Sequence, residues 1–87
     1  MAAADVVSPT RVLDAKALGS LVRRARKRSG VTQAEAAGLA GVGVRFLSEL
    51  ERGKSTAELG LVIRVLGRLG LELWIKPRGS AIADVQP

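Results

Sequence analysis

The side chains best suited to chemistry lie in one short stretch, VRFLSELE at positions 44–51. Wound at about 100° per residue, it turns Leu47 and Leu50 to one side. Arg45 falls nearly opposite, flanked by Ser48, Glu49 and, less fully, Val44, with Phe46 on the boundary. A guanidinium can fork onto guanine and a hydroxyl can donate or accept, so this face carries what a helix needs to read base edges in the major groove. Polar residues on the outer side of any surface helix look the same when taken alone. The reading therefore depends on what holds the stretch.

What precedes it is a helix start. Thr32 and Glu35 form a T-x-x-E capping box, each side chain answering the other's orphan backbone donor. The helix that follows carries Ala34, Ala36, Ala37 and Ala40, small enough for another helix to approach closely. Gly41-Val42-Gly43 breaks it, with one apolar residue between two glycines that tolerate turn dihedrals. The second helix then runs from Val44 to Glu51 and stops at Gly53, in the C′ position that favours glycine. Two short helices about a glycine-containing turn with a buried valine make a helix-turn-helix.

These residues carry a resemblance. T-Q-A-E-x-A, A-G-V and L-x-E-L-E-R-G-K resemble the Xre/Cro-type helix-turn-helix domain. The fuller G-V-G-x-R-F-L-x-E-L-E-x-G-K, followed by a leucine-rich helix and a terminal strand, is similar to HipB-type antitoxins, and the likeness spans residues 14–76. It implies that Val44, Arg45, Ser48 and Glu49 face bases, while Thr32, Gln33, Arg52 and Lys54 lie near phosphates with help from the helix 2 N-terminus. It also implies a structural ion pair of Arg26 with Glu51, tying helix 1 to helix 3. Two positions depart from the pattern. Gly43 stands where a capping Ser or Thr is common, and Glu49 places a carboxylate in a negative groove. Glu49 then has two roles open to it, accepting from cytosine N4 or pairing with Arg45 one turn away.

Composition agrees with a polyanionic partner. Fourteen Lys+Arg against eight Asp+Glu give a net charge of +6 over 87 residues. The chain has no Cys and no His, which excludes disulfides, zinc sites built on those residues and His-based acid–base chemistry. No metal, cofactor or catalytic residue is predicted. No apolar run reaches the roughly 18–20 residues of a membrane span, and the first nine residues lack the pattern of a signal peptide. The chain reads as cytoplasmic. A single domain of this length buries only about 60 % of its surface on folding, so a partner subunit would contribute to stability.

Residues 1–13 have no sustained period and read as a flexible arm, although Ser8-Pro9 could instead cap an earlier helix start. Asp14 is a good N-cap, and Leu18, Leu21, Val22 and Ala25 recur at helical spacing until Ser29-Gly30. The other face of that helix holds Arg23, Arg24, Arg26, Lys27 and Arg28. Cations complement a helix C-terminus, but five exceed that need and put Arg23, Lys27 and Arg28 near phosphates. A membrane-surface role is disfavoured by the narrow apolar face without aromatics.

A fourth helix is predicted over 57–69, capped by Ser55-Thr56 and closed by Gly70. Its apolar residues span about 200° of a helical wheel, twice the stripe that one core requires. Residues 71–76 then change to a period of two, with Leu71, Leu73 and Ile75 on one face and Trp74 on the other. A lone strand exposes its backbone ladder, and pairing with the same strand of a twofold-related chain resolves this. The predicted dimer interface comprises Leu61, Val65, Leu69, Leu71, Leu73, Trp74 and Ile75. Trp74 is either a packing residue or an anchor for another protein. Residues 77–87 read as a flexible tail.

The prediction is thus an all-α, four-helix helix-turn-helix domain over 14–76, with one short C-terminal strand that pairs across a homodimer. Its expected partner is a pseudopalindromic duplex DNA, bound so as to repress transcription. The resemblance adds a HipA-type Ser/Thr kinase toxin as a protein partner. A stand-alone regulator and a protein-binding module on the same scaffold are the alternatives.

Overall fold

A computed structural model describes residues 9–84. Among the described residues four α-helices follow one another: α1 (Ala15–Arg28), α2 (Gln33–Ala40), α3 (Val44–Glu51) and α4 (Leu59–Arg68), and a 3-10 turn lies at Ile82–Asp84. Residues 9–13 precede α1 without helix, so α1 starts at the Asp14 cap and does not extend back to Pro9. The predicted arm otherwise lies outside the described residues.

Local sequence explains where the first three helices begin. The Asp14 carboxylate accepts from the Ala17 N–H at 2.8 Å. At α2 both halves of the capping box form: Thr32 Oγ1 accepts from the Glu35 N–H at 3.0 Å, and Glu35 Oε1 accepts from the Thr32 N–H at 2.8 Å. Gly41 ends α2 in the left-handed region with φ +70°, whereas Gly43 has an ordinary φ of −74° and starts α3 without a side-chain cap.

One core joins the four helices. Val22 of α1, Ala36, Ala37 and Ala40 of α2, Leu47 and Leu50 of α3, and Val62, Val65 and Leu66 of α4 are buried together. The α2 alanines let α3 and α4 both pack on that short helix, while α1 lies on α3. At the second contact the backbones nearly touch. A Cβ built on Gly19 would stand 2.3 Å from the Leu50 carbonyl oxygen, and one on Gly53 would stand 2.8 Å from Lys16 Cα. Gly53 also has φ +91°. Glycine is thus required on both sides of the α1–α3 contact.

The C-terminal third departs from the prediction. Helix α4 begins two residues late, at Leu59 with Glu58 as its cap. Ser55 and Thr56 form a turn instead of capping, and Ala57 packs against the core before the helix starts. No strand forms among the described residues. Leu71 donates its N–H to the Leu66 carbonyl at 2.8 Å and packs against the core, but residues 72–76 donate no backbone hydrogen bond within the described chain. A strand needs a neighbouring ladder, and the described residues offer 72–76 none. Leu73, Trp74 and Ile75 are all exposed, Ile75 by 84 %. Within the predicted tail, Ser80 N–H donates to the Pro77 carbonyl in a turn ahead of the 3-10 turn. Among the described residues no helix is long and apolar enough to cross a membrane.

Candidate nucleic-acid interface

The outward side of α3 begins with Val44 and Arg45, whose side chain is 91 % exposed. Ser48 and Glu49 are half-buried beside them. On the opposite side Leu47 and Leu50 are fully buried, so the helix cannot rotate about its axis without uncovering them. The four residues predicted to read bases therefore share one outward surface.

A buried polar knot fixes the C-terminal end of α3. Arg26 Nε donates to Glu51 Oε2 at 2.6 Å and Arg26 Nη2 to Glu51 Oε1 at 3.0 Å, a two-pronged ion pair between α1 and α3. Arg26 Nη1 donates to the Val31 carbonyl at 2.9 Å, and Gln33 Nε2 donates to Glu51 Oε1 at 3.0 Å. Burial by itself pushes the Glu51 carboxyl up, but the donors from Arg26 and Gln33 outweigh it and hold the group below its ordinary value. The Arg26 guanidinium is raised in turn, through its hydrogen bonds to Glu51 and against some loss of solvent. No buried side-chain nitrogen or oxygen among the described residues lacks a partner. The knot joins α1, the loop after it, the first residue of α2 and the last residue of α3.

Gln33, predicted to lie near a phosphate, also has a structural partner: its side-chain amide is turned to Glu51. No local pattern signals this, because Gln33 and Glu51 lie 18 positions apart. Thr32 is exposed, but its hydroxyl is already engaged in the capping box, leaving the Gln33 and Ala34 N–H groups at the α2 start without helical partners. Arg52 is exposed just beyond α3, and Arg23, Lys27 and Arg28 are exposed along α1.

Lys54 is exposed too, but it is not alone. Its Nζ donates to Glu49 Oε1 at 3.0 Å, and Arg45 Nε approaches Glu49 Oε2 at 3.4 Å. The hydrogen bond from Lys54 holds the Glu49 carboxyl below its ordinary value against a desolvation push upward, and Arg45 adds in the same direction. The i,i+4 pairing with Arg45 was one of the two roles open to Glu49. The stronger contact, with Lys54, was not foreseen.

One further tie reaches the turn between α2 and α3. Arg64 of α4 donates from Nη1 to the Gly41 carbonyl at 3.2 Å.

The residues predicted for a dimer interface divide. Val65 is 1 % exposed and belongs to the chain's own core, because α4 turns it inward with Val62 and Leu66; it leaves the interface set. Leu61, Leu69 and Leu71 are half-buried, and Leu73, Trp74 and Ile75 are exposed. Leu59 and Ile63, one turn apart on α4, are 64 % and 46 % exposed and were not predicted.

With this geometry in place, comparisons with known proteins point one way. A helix-turn-helix family model matches residues 22–73. An uncharacterized HTH-type transcriptional regulator, y4mF, of Sinorhizobium fredii (strain NBRC 101917 / NGR234) is 48 % identical over 63 residues, covering 72 % of this chain and 83 % of the relative. The fold matches a chain of a HipB(S29A)–O2 20mer complex with a TM-score of 0.74 at 22 % identity, covering 82 % of this chain and 99 % of that one. A HipB–O4 20mer complex gives 0.73 at 20 % identity, over 80 % of this chain and 99 % of that chain.

Proposed function

The chain belongs to the helix-turn-helix family of transcriptional regulators, and we propose that it is a sequence-specific repressor acting as a homodimer on duplex DNA. The observation that carries this reading is the single outward surface of Val44, Arg45, Ser48 and Glu49 on a helix held by the Arg26–Glu51–Gln33 knot. In this mechanism α3 enters the major groove and no bond is made or broken: occupancy of an operator blocks transcription in the cytoplasm. Arg52, with Arg23, Lys27 and Arg28 of α1, lines the phosphate backbone, and the free N–H groups at the start of α2 add an anion contact.

The second subunit completes the exposed C-terminal part. Residues 71–76 of two chains pair as strands, and Leu73 and Ile75 cover the exposed Leu59 and Ile63 of α4. Twofold symmetry then asks for two half-sites about 34 Å apart in a pseudopalindrome. The fold shared with HipB, together with the G-V-G-x-R-F-L-x-E-L-E-x-G-K motif, favours an antitoxin that also binds a HipA-type kinase toxin. The exposed Trp74 is the anchor for that partner. Copurification of the chain from its own host tests the toxin: a kinase-like protein in the complex supports it, and a homodimer alone leaves a stand-alone regulator.

Salt decides the DNA reading. A dimer making roughly 6–10 phosphate contacts should lose about 10³–10⁵ in affinity between 50 and 200 mM salt. A flat response in a fluorescence titration with duplex DNA would overturn it, leaving a protein-binding module on this scaffold.

A further inference from the structure

We propose that Glu49 is a sequence filter, an acidic residue that restrains the DNA-facing cations and releases them only where a base supplies an amino group. The inference rests on the DNA reading above and goes beyond it by assigning the selective step.

Three charged groups meet on this surface. The Glu49 carboxylate accepts from Lys54 Nζ at 3.0 Å through one oxygen and faces Arg45 Nε at 3.4 Å through the other. Each of its oxygens thereby has a cationic donor, and the cluster carries one net positive charge where the two cations alone would carry two. Lys54 follows directly on Gly53, which packs against Lys16 of α1, and Arg45 lies one turn before Glu49 on the same helix. Of the two, Arg45 is the more exposed.

A DNA surface offers these cations stronger acceptors. Phosphate competes for Lys54, and the O6 and N7 of guanine compete for Arg45. Whichever cation leaves, Glu49 loses a donor. In the major groove, base edges offer a replacement only from cytosine N4 or adenine N6, while guanine O6 and N7 and thymine O4 are acceptors that repel a carboxylate. On a duplex with an amino group opposite Glu49 the exchange is even, and Lys54 is free to reach a phosphate. On other sequences Lys54 stays paired with Glu49, or the carboxylate is left in the groove without a donor, and the phosphate contact is lost. Discrimination thus comes from an unfavourable carboxylate as much as from a favourable Arg45 contact.

Glu49→Gln tests this in the full-length chain. The amide keeps the shape but cannot hold a cation as an ion pair, so Lys54 becomes available on every sequence. Each phosphate contact contributes a slope of about −0.9 in log K against log salt, or roughly eightfold in affinity near 0.1 M. The variant should therefore bind random duplex up to about eightfold tighter per subunit, with a correspondingly steeper salt slope. Selection from a randomised duplex pool should return a fixed cytosine or adenine with the wild type. That base should be lost, or a cytosine exchanged for adenine, with Glu49→Gln. Both chains should melt alike, since exposed ion pairs add little stability. Unchanged random-duplex affinity together with the same selected base would overturn the filter. So would a uniform loss on all duplexes, which would make Glu49 a support for Arg45 and nothing more. If the wild type itself binds duplex without salt dependence, the DNA reading falls first and the filter with it.

Discussion

The α1–α3 contact and the C-terminal part of the chain are built to opposite standards of completeness. In the first, every buried side-chain polar atom has a partner, two glycines let backbones nearly touch, and Arg26, Glu51 and Gln33 join four segments. In the second, Leu59, Ile63, Leu73, Trp74 and Ile75 face solvent, and residues 72–76 donate no backbone hydrogen bond within the described chain. The surface proposed to read DNA is finished within one chain, whereas the surface proposed for dimerisation needs another. Rigidity is useful where a helix must meet base edges in one register. An unpaired edge beside exposed leucine and isoleucine is useful only when something else covers it.

The largest effect should come from breaking the finished region. Arg26→Ala leaves Glu51 buried with only the Gln33 amide, and loss of one partner of a buried pair costs about 3–5 kcal/mol. In a domain this small that corresponds to a fall in Tm of roughly 12–40 °C, read by thermal unfolding at fixed protein concentration. A loss below about 1 kcal/mol would show that the knot is dispensable.

Next comes removal of the unfinished region. A chain ending at Gly70 should be monomeric or aggregated in sedimentation equilibrium. Its operator affinity should drop by about 10²–10⁴, the advantage of two tethered half-sites over one. Removing only residues 77–87 should change neither. A well-folded dimer of the shorter fragment would assign residues 71–76 to a different partner protein.

Acid sharpens the comparison, because the knot titrates and the apolar surface does not. The Glu51 carboxyl is held below its ordinary value in the folded chain. As the pH falls the unfolded chain takes up this proton first. The contribution of Glu51 is therefore whole above the unfolded carboxyl value of about 4.3 and is lost as the pH drops through the folded one. Glu51→Gln should be less stable than wild type at pH 7 and should lose less of its remaining stability below about pH 4.3, as followed by denaturant melts across that window. Parallel curves for the two chains would place acid sensitivity elsewhere.

The smallest effect concerns recognition alone. Arg45 is almost fully exposed, so Arg45→Ala should leave stability unchanged, cost about 1–3 kcal/mol on the selected site and relax preference at one base pair. Equal losses on selected and random duplex would move Arg45 to the phosphate-binding group.

The sequence by itself determined what is decided within a few residues along the chain. Asp14 as a cap, the Thr32–Glu35 box, the stop at Gly41 and the burial of Leu47 and Leu50 opposite Arg45 all follow from hydrogen bonds and helical periods of three or four positions. The Arg26–Glu51 pair, 25 residues apart, was legible only through a family pattern. Tertiary structure alone decided the rest. Gln33 turns to Glu51 and Lys54 to Glu49 because folding brings these side chains within hydrogen-bonding reach of a carboxylate, where composition shows only another polar or basic residue. Gly19 is required by the Leu50 carbonyl 31 positions away, and nothing in its own helix marks it. Val65 is in the core while Ile63 is outside because α4 meets α2 on one side only, a choice that an apolar arc of 200° left open. Residues 71–76 carry the alternation of a strand without forming one, since a strand is completed by the ladder beside it and no such ladder lies among the described residues.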